Sequence, residues 1–402
     1  MLPSRSVLSR EAQVLILTAG GPANEAPLRR LLDSEVNWQR LVRLTEQETA
    51  TPIVWRWLQR VAADQLPPDV QTAWRKLAMV SEFRSLRLER LLHEAVGALA
   101  AHGIDVMLLK GSALAYTTYR SFADRPMGDV DLLVRPERAR EAWSLLQTRG
   151  WTWLSARWPA HLYVAHHHLP PVLDAKGEGF RLELHTDLFP TGHPFQLSAE
   201  ALWTGASTIR LDGRTVLVPD PLLQMLHLCI HFSWSHMMRW GGWRTFRDVE
   251  TLARCGGVNW AELMRLARDS RATTACFWAL RLARNLVGAQ VPNDVLRALR
   301  PRLPQFLLDR LEHHYVLQLF ENENGCPSPT LAQRLWELGI APHRSNHGLA
   351  RPWQDLKKWV DWEHDASPPV TWPRRVLSQA RHIGASVSYL SRIAASARPA
   401  AP

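Results

Sequence analysis

The chain has 402 residues, of which 46% are hydrophobic and 21% charged, so it can bury a large core, and its length favours two or three domains. The formal net charge of +10 suits anionic partners such as nucleotides, nucleic acids or acidic glycans, and it is equally a common means of staying soluble. No run of about eighteen apolar residues occurs, which excludes an ordinary membrane-spanning helix. The four cysteines form no CxxC pair and indicate buried thiols in a reducing compartment, so we expect a cytoplasmic protein.

The first hundred residues are predicted to be helical, because apolar residues recur at helical spacing with charged residues between them. Gly103 ends the last of these helices. The apolar run IDVMLL (104–109) has the length of a strand, and Lys110-Gly111-Ser112 turns it into the helix ALAYTTY. This region is therefore predicted to contain a strand–turn–helix unit.

A second strand is predicted at DVDLLV (129–134), with alternate aliphatic residues facing one way and Asp129 and Asp131 the other. The proline that follows opens a helix over 136–149. The two aspartates are unusual because a buried strand ordinarily carries only aliphatic side chains on both faces.

A hairpin is predicted from about 163–172 and 180–187, around the turn DAKGEG. After residue 218 the pattern is again helical. The predicted organisation is an N-terminal helical region, a central core, a C-terminal helical domain and an irregular and basic helical tail. These four regions span residues 1–100, 101–218, 219–340 and 341–402.

The turn at Gly111 and Ser112 is a candidate phosphate site. A strand that leads through glycine into a helix presents backbone N–H groups at the helix N-terminus, where phosphate oxygens bind. The Ser112 hydroxyl adds a donor, and Lys110 either binds phosphate or is a solvated lysine at the strand end. Because tight turns use glycine throughout proteins, this turn by itself indicates little.

Asp129 and Asp131 are the first candidates for metal ligands. Alternate residues of a strand project from the same face, which sets the two carboxylates about 6–7 Å apart. They would repel each other, and burial would raise a pKa, whereas a divalent cation removes the conflict because Mg²⁺ prefers carboxylate and phosphate oxygens. On this interpretation, Asp131→Asn would leave the metal-free fold as stable as before, or more stable. The alternative is that both aspartates cap loops at a solvated strand end.

A third carboxylate strengthens the metal interpretation. In FRLELHTDLF, Leu182 and Leu184 alternate with Arg181, Glu183 and His185, which predicts a half-buried strand with one polar face. If this strand neighbours the aspartate strand, Glu183 joins the pair. Three carboxylates beside a phosphate-binding turn are the parts of a two-metal site for phosphoryl or nucleotidyl transfer.

These motifs resemble the nucleotidyltransferase superfamily related to DNA polymerase beta. The matching features are LLKGSAL, the arginine before the aspartate pair in RPMGDVDLLV, the ELH strand, and the helical HLCIH segment followed by RDVE. More narrowly, residues 70–255 look like a poorly characterised bacterial nucleotidyltransferase family found near polysaccharide gene clusters. The resemblance implies an α+β fold, with a small mixed β-sheet as the catalytic core at 101–218 and helical regions flanking it on both sides.

The resemblance also implies roles for individual residues. Gly111 and Ser112 would contact the triphosphate, Asp129 and Asp131 would bind the metals, and Glu183 would be the third acid. That last position is more often aspartate in such folds.

Two further residues complete the predicted nucleotide site. Arg125 either neutralises charge on the leaving group or pairs with the aspartates, and His185 shares a face with Glu183 and is placed to support it. Asp248 either reaches the cleft or pairs with a neighbouring arginine. The predicted nucleotide-binding residues are Lys110, Gly111, Ser112, Arg125 and His185.

Two groups of histidines are predicted to lie outside the chemistry. His166, His167 and His168 fall on the partner strand of the hairpin, where only alternate members can face the site, and a solvated edge is the favoured interpretation. His227 and His231 have an i, i+4 spacing that can serve zinc. Because no nearby acid or cysteine completes a clear ligand set, we expect core or interdomain histidines.

The leading hypothesis is a Mg²⁺-dependent nucleotidyltransferase, with Mn²⁺ able to replace Mg²⁺, that moves an NMP from an NTP such as ATP to an unidentified acceptor by a two-metal mechanism. We expect a small molecule, glycan or protein as acceptor, because no recognisable nucleic-acid-binding module is present. The alternatives are a non-catalytic nucleotide-binding or scaffold protein on the same fold, and an RNA-modifying nucleotidyltransferase, which the basic tail would suit.

Overall fold

A computed structural model of the chain describes residues 5–174, 177, 179–255, 257–320, 329–340 and 389–391. The irregular and basic tail predicted at 341–402 lies outside these ranges, except for three helical residues at 389–391. Part of the hairpin turn DAKGEG lies outside them as well.

The described N-terminal residues form helices, as predicted. Side chains cap two of them, since Ser9 accepts a hydrogen bond from the backbone N–H of Ala12 and Asn37 accepts one from that of Arg40. The helices are α1 (Arg10–Leu17), α2 (Glu25–Leu32), α3 (Trp38–Gln47), α4 (Thr51–Ala62) and α5 (Pro68–Ala100). Although α5 has 33 residues, neither it nor any other described helix is long and apolar enough to cross a membrane.

A mixed seven-stranded sheet lies at the centre of the described structure. Its strands are β1 (Met107–Leu108), β2 (Asp129–Leu133), β3 (Thr152–Trp153), β4 (Val172–Leu173), β5 (Arg181–His185), β6 (Ser207–Leu211) and β7 (Arg214–Val218). Their spatial order is β3-β4-β5-β2-β1-β7-β6. Strand β2 pairs in parallel with β5 and antiparallel with β1, and β1 pairs in parallel with β7.

Helices connect the strands and follow the sheet. Between strands lie α6 (Lys110–Thr117), α7 (Ala139–Thr148) and α8 (Ala199–Thr204). After the sheet come α9 (Pro221–Ile230), α10 (Gly242–Arg254), α11 (Trp260–Asp269), α12 (Thr273–Val287), α13 (Asn293–Leu299), α14 (Gln305–Gln318) and α15 (Pro329–Ile340). A π-helical turn, His231–Ser235, extends α9.

Two hydrophobic clusters divide the described core. The larger cluster unites α1–α4 with α9–α15, and the smaller lies among the sheet, α7 and the C-terminal half of α5. Val130 and Leu132 belong to the smaller cluster and Leu133 to the larger one, so successive residues of β2 face opposite sides. Helix α5 contributes Trp74 to the larger cluster and Leu99 to the smaller. The sheet therefore has one face directed toward the helical body, which we call the helical face.

The α+β fold with a mixed sheet and flanking helices is confirmed. Two strand predictions were too long: the first strand is Met107–Leu108 and not 104–109, and the strand expected at 163–172 is paired only as β4 and one isolated bridge. Pro170 and Pro171 explain the second difference, since proline has no N–H for the ladder. The division into four regions stays a prediction.

Candidate functional site

Three carboxylate residues of β2 and β5 share the helical face of the sheet. Asp129 and Asp131 are separated by Val130, which faces the smaller cluster. The register places Asp131 directly beside Glu183 on the parallel strand β5. Aligned residues of neighbouring strands project from the same face. Since β5 neighbours β2, Asp129, Asp131 and Glu183 therefore lie on one face of the sheet, as predicted.

Asp131 is buried and has two partners. Its Oδ1 accepts a hydrogen bond from Lys110 Nζ at 2.9 Å and lies 2.8 Å from His185 Nε2. Burial opposes ionisation, but the Lys110 ammonium and the His185 contact outweigh it and hold the pKa of the Asp131 carboxyl well below its usual range. Burial likewise opposes the charge on Lys110, yet Asp131 and Glu183 raise its pKa. Both members of the Lys110–Asp131 pair are therefore charged at neutral pH.

The pKa of the Glu183 carboxyl is shifted in the opposite direction to that of Asp131. Burial first, and then the negative charge of Asp131, raise the pKa of Glu183 to about 8. Its Oε2 lies 3.6 Å from His168 Nε2 and 3.8 Å from His185 Nε2. Among the described residues, one ligand atom each from Asp131, Glu183 and His185 lies within 4.8 Å of the other two. These three side chains could hold a metal ion.

Asp129 occupies the same face in a more open position. Its side chain is 37% exposed, and its Oδ2 lies 3.3 Å from Arg181 Nη2. Within the described ranges, Asp129 is not a member of the group formed by Asp131, Glu183 and His185. The structure thus places Asp131 beside Glu183 and Asp129 beside Arg181. Arg181 lies on the polar face of β5, as the alternation of the sequence predicted.

A cleft of about 260 Å³ opens in front of the helical face. One wall comes from β2, β5 and the turn after β1, and the facing wall comes from α9, its π-helical turn and the start of α10. Charged groups of the first wall are Lys110, Arg125, Asp129, Asp131 and Arg181. Polar and aromatic groups of the facing wall include Gln224, His227, His231, His236, Trp240 and Arg244.

The turn between β1 and α6 brings backbone and a cation to the cleft. Lys110 has φ 48°, a left-handed conformation that is unusual for a residue with a side chain. Gly111 follows it, and a Cβ at this position would lie only 3.3 Å from Arg125 Nη1. A side chain at this position would require Arg125 and Met127 to shift by a few tenths of an ångström, and the phosphate-binding role of Gly111 stays a prediction.

Ser112 differs from the expectation that its hydroxyl binds phosphate. The residue is 1% exposed, and its hydroxyl donates to the carbonyl oxygen of Leu109 at 2.7 Å and lies 3.2 Å from that of Asp131. A hydroxyl has a single proton to donate, and here it is used within the turn. The side chain of Ser112 therefore ties α6 to β1 and β2.

Arg125 lines the cleft but pairs with Asp248 of α10, and not with either aspartate of β2. The pair is bidentate: Arg125 Nε lies 2.9 Å from Asp248 Oδ1, and Nη2 lies 2.8 Å from Oδ2. The Tyr119 hydroxyl donates to the same Oδ1 at 2.7 Å. The sequence had suggested a neighbouring arginine for Asp248, whereas its partner lies 123 positions away. This cluster joins α10 to the loop before β2.

Histidines dominate the facing wall. Burial first and the nearby Lys110 second lower the pKa of His227 to about 3, and burial followed by Arg244 lowers that of His236 to about 4. Burial first, then Lys110, also holds the pKa of His231 well below its usual range. The interdomain interpretation of His227 and His231 agrees with this place between helices and sheet. His236 and Trp240 lie in the turn between the π-helical segment and α10, and Arg244 lies in the first turn of α10. No sequence signal marked them as cleft residues, because tertiary packing brings this turn to the cleft.

His166, His167 and His168 do not lie along a solvated strand edge. His166 and His167 lie in a bend after a 3₁₀ turn, and His168 forms an isolated bridge with His185, so the three rings gather instead of alternating. Their centroids are 4.1 to 4.9 Å apart, and His168 lies beside both Glu183 and His185. The strand-edge interpretation was therefore wrong.

The mixed sheet and its flanking helices are consistent with the fold of an α+β nucleotidyltransferase. The sequence model of the family described as "Uncharacterised nucleotidyltransferase" matches residues 34–288, more than half of the chain. The chain belongs to this family, and the match includes all the residues of the cleft. Searches of curated proteins and of solved structures found no match. The wider relation to DNA polymerase beta stays a prediction.

Proposed function

We propose that the protein transfers a nucleoside monophosphate from an NTP to an acceptor, with Mg²⁺ or Mn²⁺ as the required cation. The observation that carries this proposal is the alignment of Asp131 with Glu183 on adjacent parallel strands. Asp131 lines the cleft together with Lys110 and Gly111, and Glu183 lies beside Asp131 and is not among the lining residues. Family membership supports the reaction class.

The carboxylates fit a divalent cation. Asp131 and Glu183 would be its ligands, Asp129 would provide an oxygen at the open side, and His185 would orient Asp131 through the 2.8 Å contact. The raised pKa of Glu183 indicates excess negative charge in a poorly solvated place, which a cation relieves. Bound there, a divalent cation would activate the attacking oxygen and offset charge on the triphosphate.

The turn after β1 is the proposed triphosphate site. Gly111 leaves room for phosphate near the N-terminus of α6, and the Lys110 ammonium group lies beside the same part of the cleft. Lys110 now contacts Asp131, and its flexible stem allows the ammonium to turn toward a phosphate when a cation takes over the carboxylate. Arg125 is held by Asp248 and would contribute a fixed positive charge.

In the proposed reaction, a bond forms between the acceptor and the α-phosphorus of the NTP while the bond to the leaving pyrophosphate breaks. Lys110 and Arg125 would stabilise the charge that gathers on the pyrophosphate. The acceptor is proposed to be a small molecule, glycan or protein that enters from the wall formed by α9 and α10. A cytoplasmic location is part of the same proposal.

The first test is Asp131→Asn, with Asp105→Asn, an exposed residue before β1, as the matched control. NTPs labelled at the α-phosphate are incubated with cell extract, and transfer of the label is followed. Asp131→Asn should lower transfer at least about 100-fold, because the site loses several kcal/mol of charge stabilisation. Transfer that survives in Asp131→Asn would contradict the proposal.

The same variant corrects the stability expected from the sequence. Lys110 and His185 stabilise the Asp131 carboxylate, so removal of its charge should lower the metal-free melting temperature slightly and not raise it. The expected repulsion between carboxylates instead raises the pKa of Glu183, together with burial, so Glu183 and not Asp131 takes up a proton.

A second test concerns the triphosphate. Gly111→Val should weaken NTP binding measured by calorimetry in Mg²⁺, because its side chain would meet the Arg125 guanidinium and fill the phosphate approach. Gly128→Ala is the matched control, since a Cβ there meets nothing within 4 Å. Equal NTP affinity in both variants, or tight binding of the wild type in EDTA, would contradict this site.

A further inference from the structure

The bend at 166–168 gathers three imidazoles in one place. The rings of His166 and His168 have centroids 4.1 Å apart, and that of His167 lies 4.3 and 4.9 Å from the other two. One ring nitrogen from each residue lies within 4.8 Å of the others. His166 and His167 are half-buried and His168 is buried, so the group can be reached from solvent.

The protonation of His168 is determined by its neighbour. Its Nδ1 lies 2.7 Å from the carbonyl oxygen of Leu169, and a carbonyl oxygen can only accept, so Nδ1 carries the proton. In a neutral imidazole, Nε2 is then the nitrogen with a lone pair. Such a backbone contact is the usual means by which proteins orient a metal-binding histidine.

The His168 nitrogen that carries the lone pair lies near another electron-rich atom. His168 Nε2 lies 3.6 Å from Glu183 Oε2, too far for a hydrogen bond between them. Two ligands of one tetrahedral zinc ion, each about 2.0–2.2 Å from the metal, are about 3.3–3.6 Å apart. The observed 3.6 Å separation lies at the upper end of this range, although Glu183 is not within 4.8 Å of all three histidine nitrogens.

His167 supplies independent evidence. Its Nδ1 is buried and has no hydrogen-bond partner among the residues that the structure describes. A buried polar nitrogen without a partner costs free energy, and metal ligation of the imidazole would offset that cost.

We propose that His166, His167 and His168 bind a zinc-like divalent ion, and that the Glu183 side chain, which already lies beside His168, turns toward the ion as the fourth ligand. Three imidazole nitrogens and one carboxylate select Zn²⁺, Co²⁺ or Ni²⁺, whereas Mg²⁺ prefers oxygen ligands. This site has three histidine ligands that the proposed Mg²⁺ site lacks, shares Glu183 with that site, and does not depend on the proposed reaction. Because it shares Glu183, the ion would keep that carboxylate ionised and fixed beside Asp131.

The wild-type protein provides the first experiment. Purified chain is stripped with a chelator and titrated with Co²⁺ in excess Mg²⁺, and bound zinc is measured by competition with a chromophoric chelator. We expect one Co²⁺ per chain with the visible absorption of a four-coordinate ion, displaced by Zn²⁺ and unaffected by Mg²⁺. Absence of stoichiometric Co²⁺ and Zn²⁺ binding would overturn the proposal and leave the histidines as a packed aromatic cluster.

Variants then locate the ion. His168→Ala should lower zinc affinity by more than the about 10- to 100-fold that loss of an outer partner costs, and Glu183→Gln should weaken zinc binding and shift the Co²⁺ bands. His161→Ala, an exposed histidine five positions upstream of the cluster, should change neither. If His168→Ala does not fold, the half-buried His166→Ala serves instead. Unchanged zinc affinity in the folded cluster variant would overturn the site.

Asp131→Asn separates this inference from the proposed function. It should abolish nucleotidyl transfer and leave the zinc content unchanged, since Asp131 is not among the four ligands. Loss of transfer with zinc retained supports both proposals. If Asp131→Asn keeps both its bound zinc and its transfer activity, only the proposed function is overturned. If the folded variant loses its zinc, the proposed set of four zinc ligands is overturned.

Discussion

Asp248 and Asp131 both lie beside a cation at the same cleft, but their environments differ. The side chain of Asp248 is fully buried, and both of its carboxylate oxygens accept hydrogen bonds from Arg125. The oxygen Oδ1 also accepts one from the Tyr119 hydroxyl. Asp131 receives both of its partners, Lys110 and His185, on the single oxygen Oδ1. It also lines the cleft, which Asp248 does not.

The difference separates a structural ion pair from an exchangeable one. A guanidinium fork matches a carboxylate at two points and is held in one geometry, whereas an ammonium is a point charge on a flexible stem. The Arg125–Asp248 pair therefore suits the permanent attachment of α10 to the loop before β2. The Lys110–Asp131 pair suits a carboxylate that must change partners when a cation and a phosphate arrive.

Asp248→Ala is expected to have the largest effect on stability. It leaves the buried Arg125 without its partner, which should lower the free energy of unfolding by about 3–5 kcal/mol in denaturant titrations. Asp64→Ala, which removes a 70% exposed partner of Arg29, should cost about 1 kcal/mol or less. A similar loss in the two variants would contradict the structural role of Asp248.

Lys110→Met should have a smaller effect on stability and a specific effect on metal binding. Without the ammonium, the buried Asp131 loses a partner, and metal-free stability should fall by about 1–3 kcal/mol. Mg²⁺ binding in the absence of nucleotide should become tighter, because the competing cation is gone, while NTP binding weakens. Calorimetry measures both affinities, with the exposed Lys76→Met as control. Weaker Mg²⁺ binding in Lys110→Met would show that the pair is not exchangeable.

Glu183→Gln should change how stability depends on pH. Folding raises the pKa of Glu183 from its ordinary value of 4.5 to about 8, so the folded state holds this proton more tightly than the unfolded chain. The resulting stabilisation is complete below the ordinary pKa and is lost as the pH rises through about 8. Relative to Glu183→Gln, metal-free wild type should lose up to about 1.4 kcal/mol per pH unit between about pH 5 and 8.

The measurement for Glu183 is the free energy of unfolding in chelator at several pH values. The two proteins share all the buried histidines, so their difference reports the titration of this carboxyl group together with its effect on the neighbouring Asp131 and Lys110. Parallel pH curves for wild type and Glu183→Gln would contradict the raised pKa.

Arg181→Gln should have the smallest effect. Arg181 and Asp129 are 40% and 37% exposed at their side chains, and such open pairs contribute about 0.2–1 kcal/mol. High salt should remove even this difference, because ions screen exposed charges. A loss in Arg181→Gln as large as that in Lys110→Met would mean that Asp129 depends on its cation as Asp131 does.

The sequence by itself determined the local arrangement of the candidate site. The alternation at 129–133 and at 181–185 was enough to place Asp129 with Asp131 on one side of a strand, and Glu183 with His185 on one side of another. Side-chain direction in a strand depends only on the backbone repeat of two residues. The turn at Gly111 could also be predicted from neighbouring residues alone, because a short segment must change from strand to helix there.

Only the tertiary structure decided which groups meet. The packing of α10 gives Arg125 its partner Asp248, 123 positions away. The turn before α10 brings His236 and Trp240 to the cleft. Two prolines interrupt strand pairing beyond His168, and the bend at His166 and His167 gathers the histidines, with His168 beside Glu183. These contacts depend on how separate elements pack against each other, and the periodicity within any one element carries no information about that.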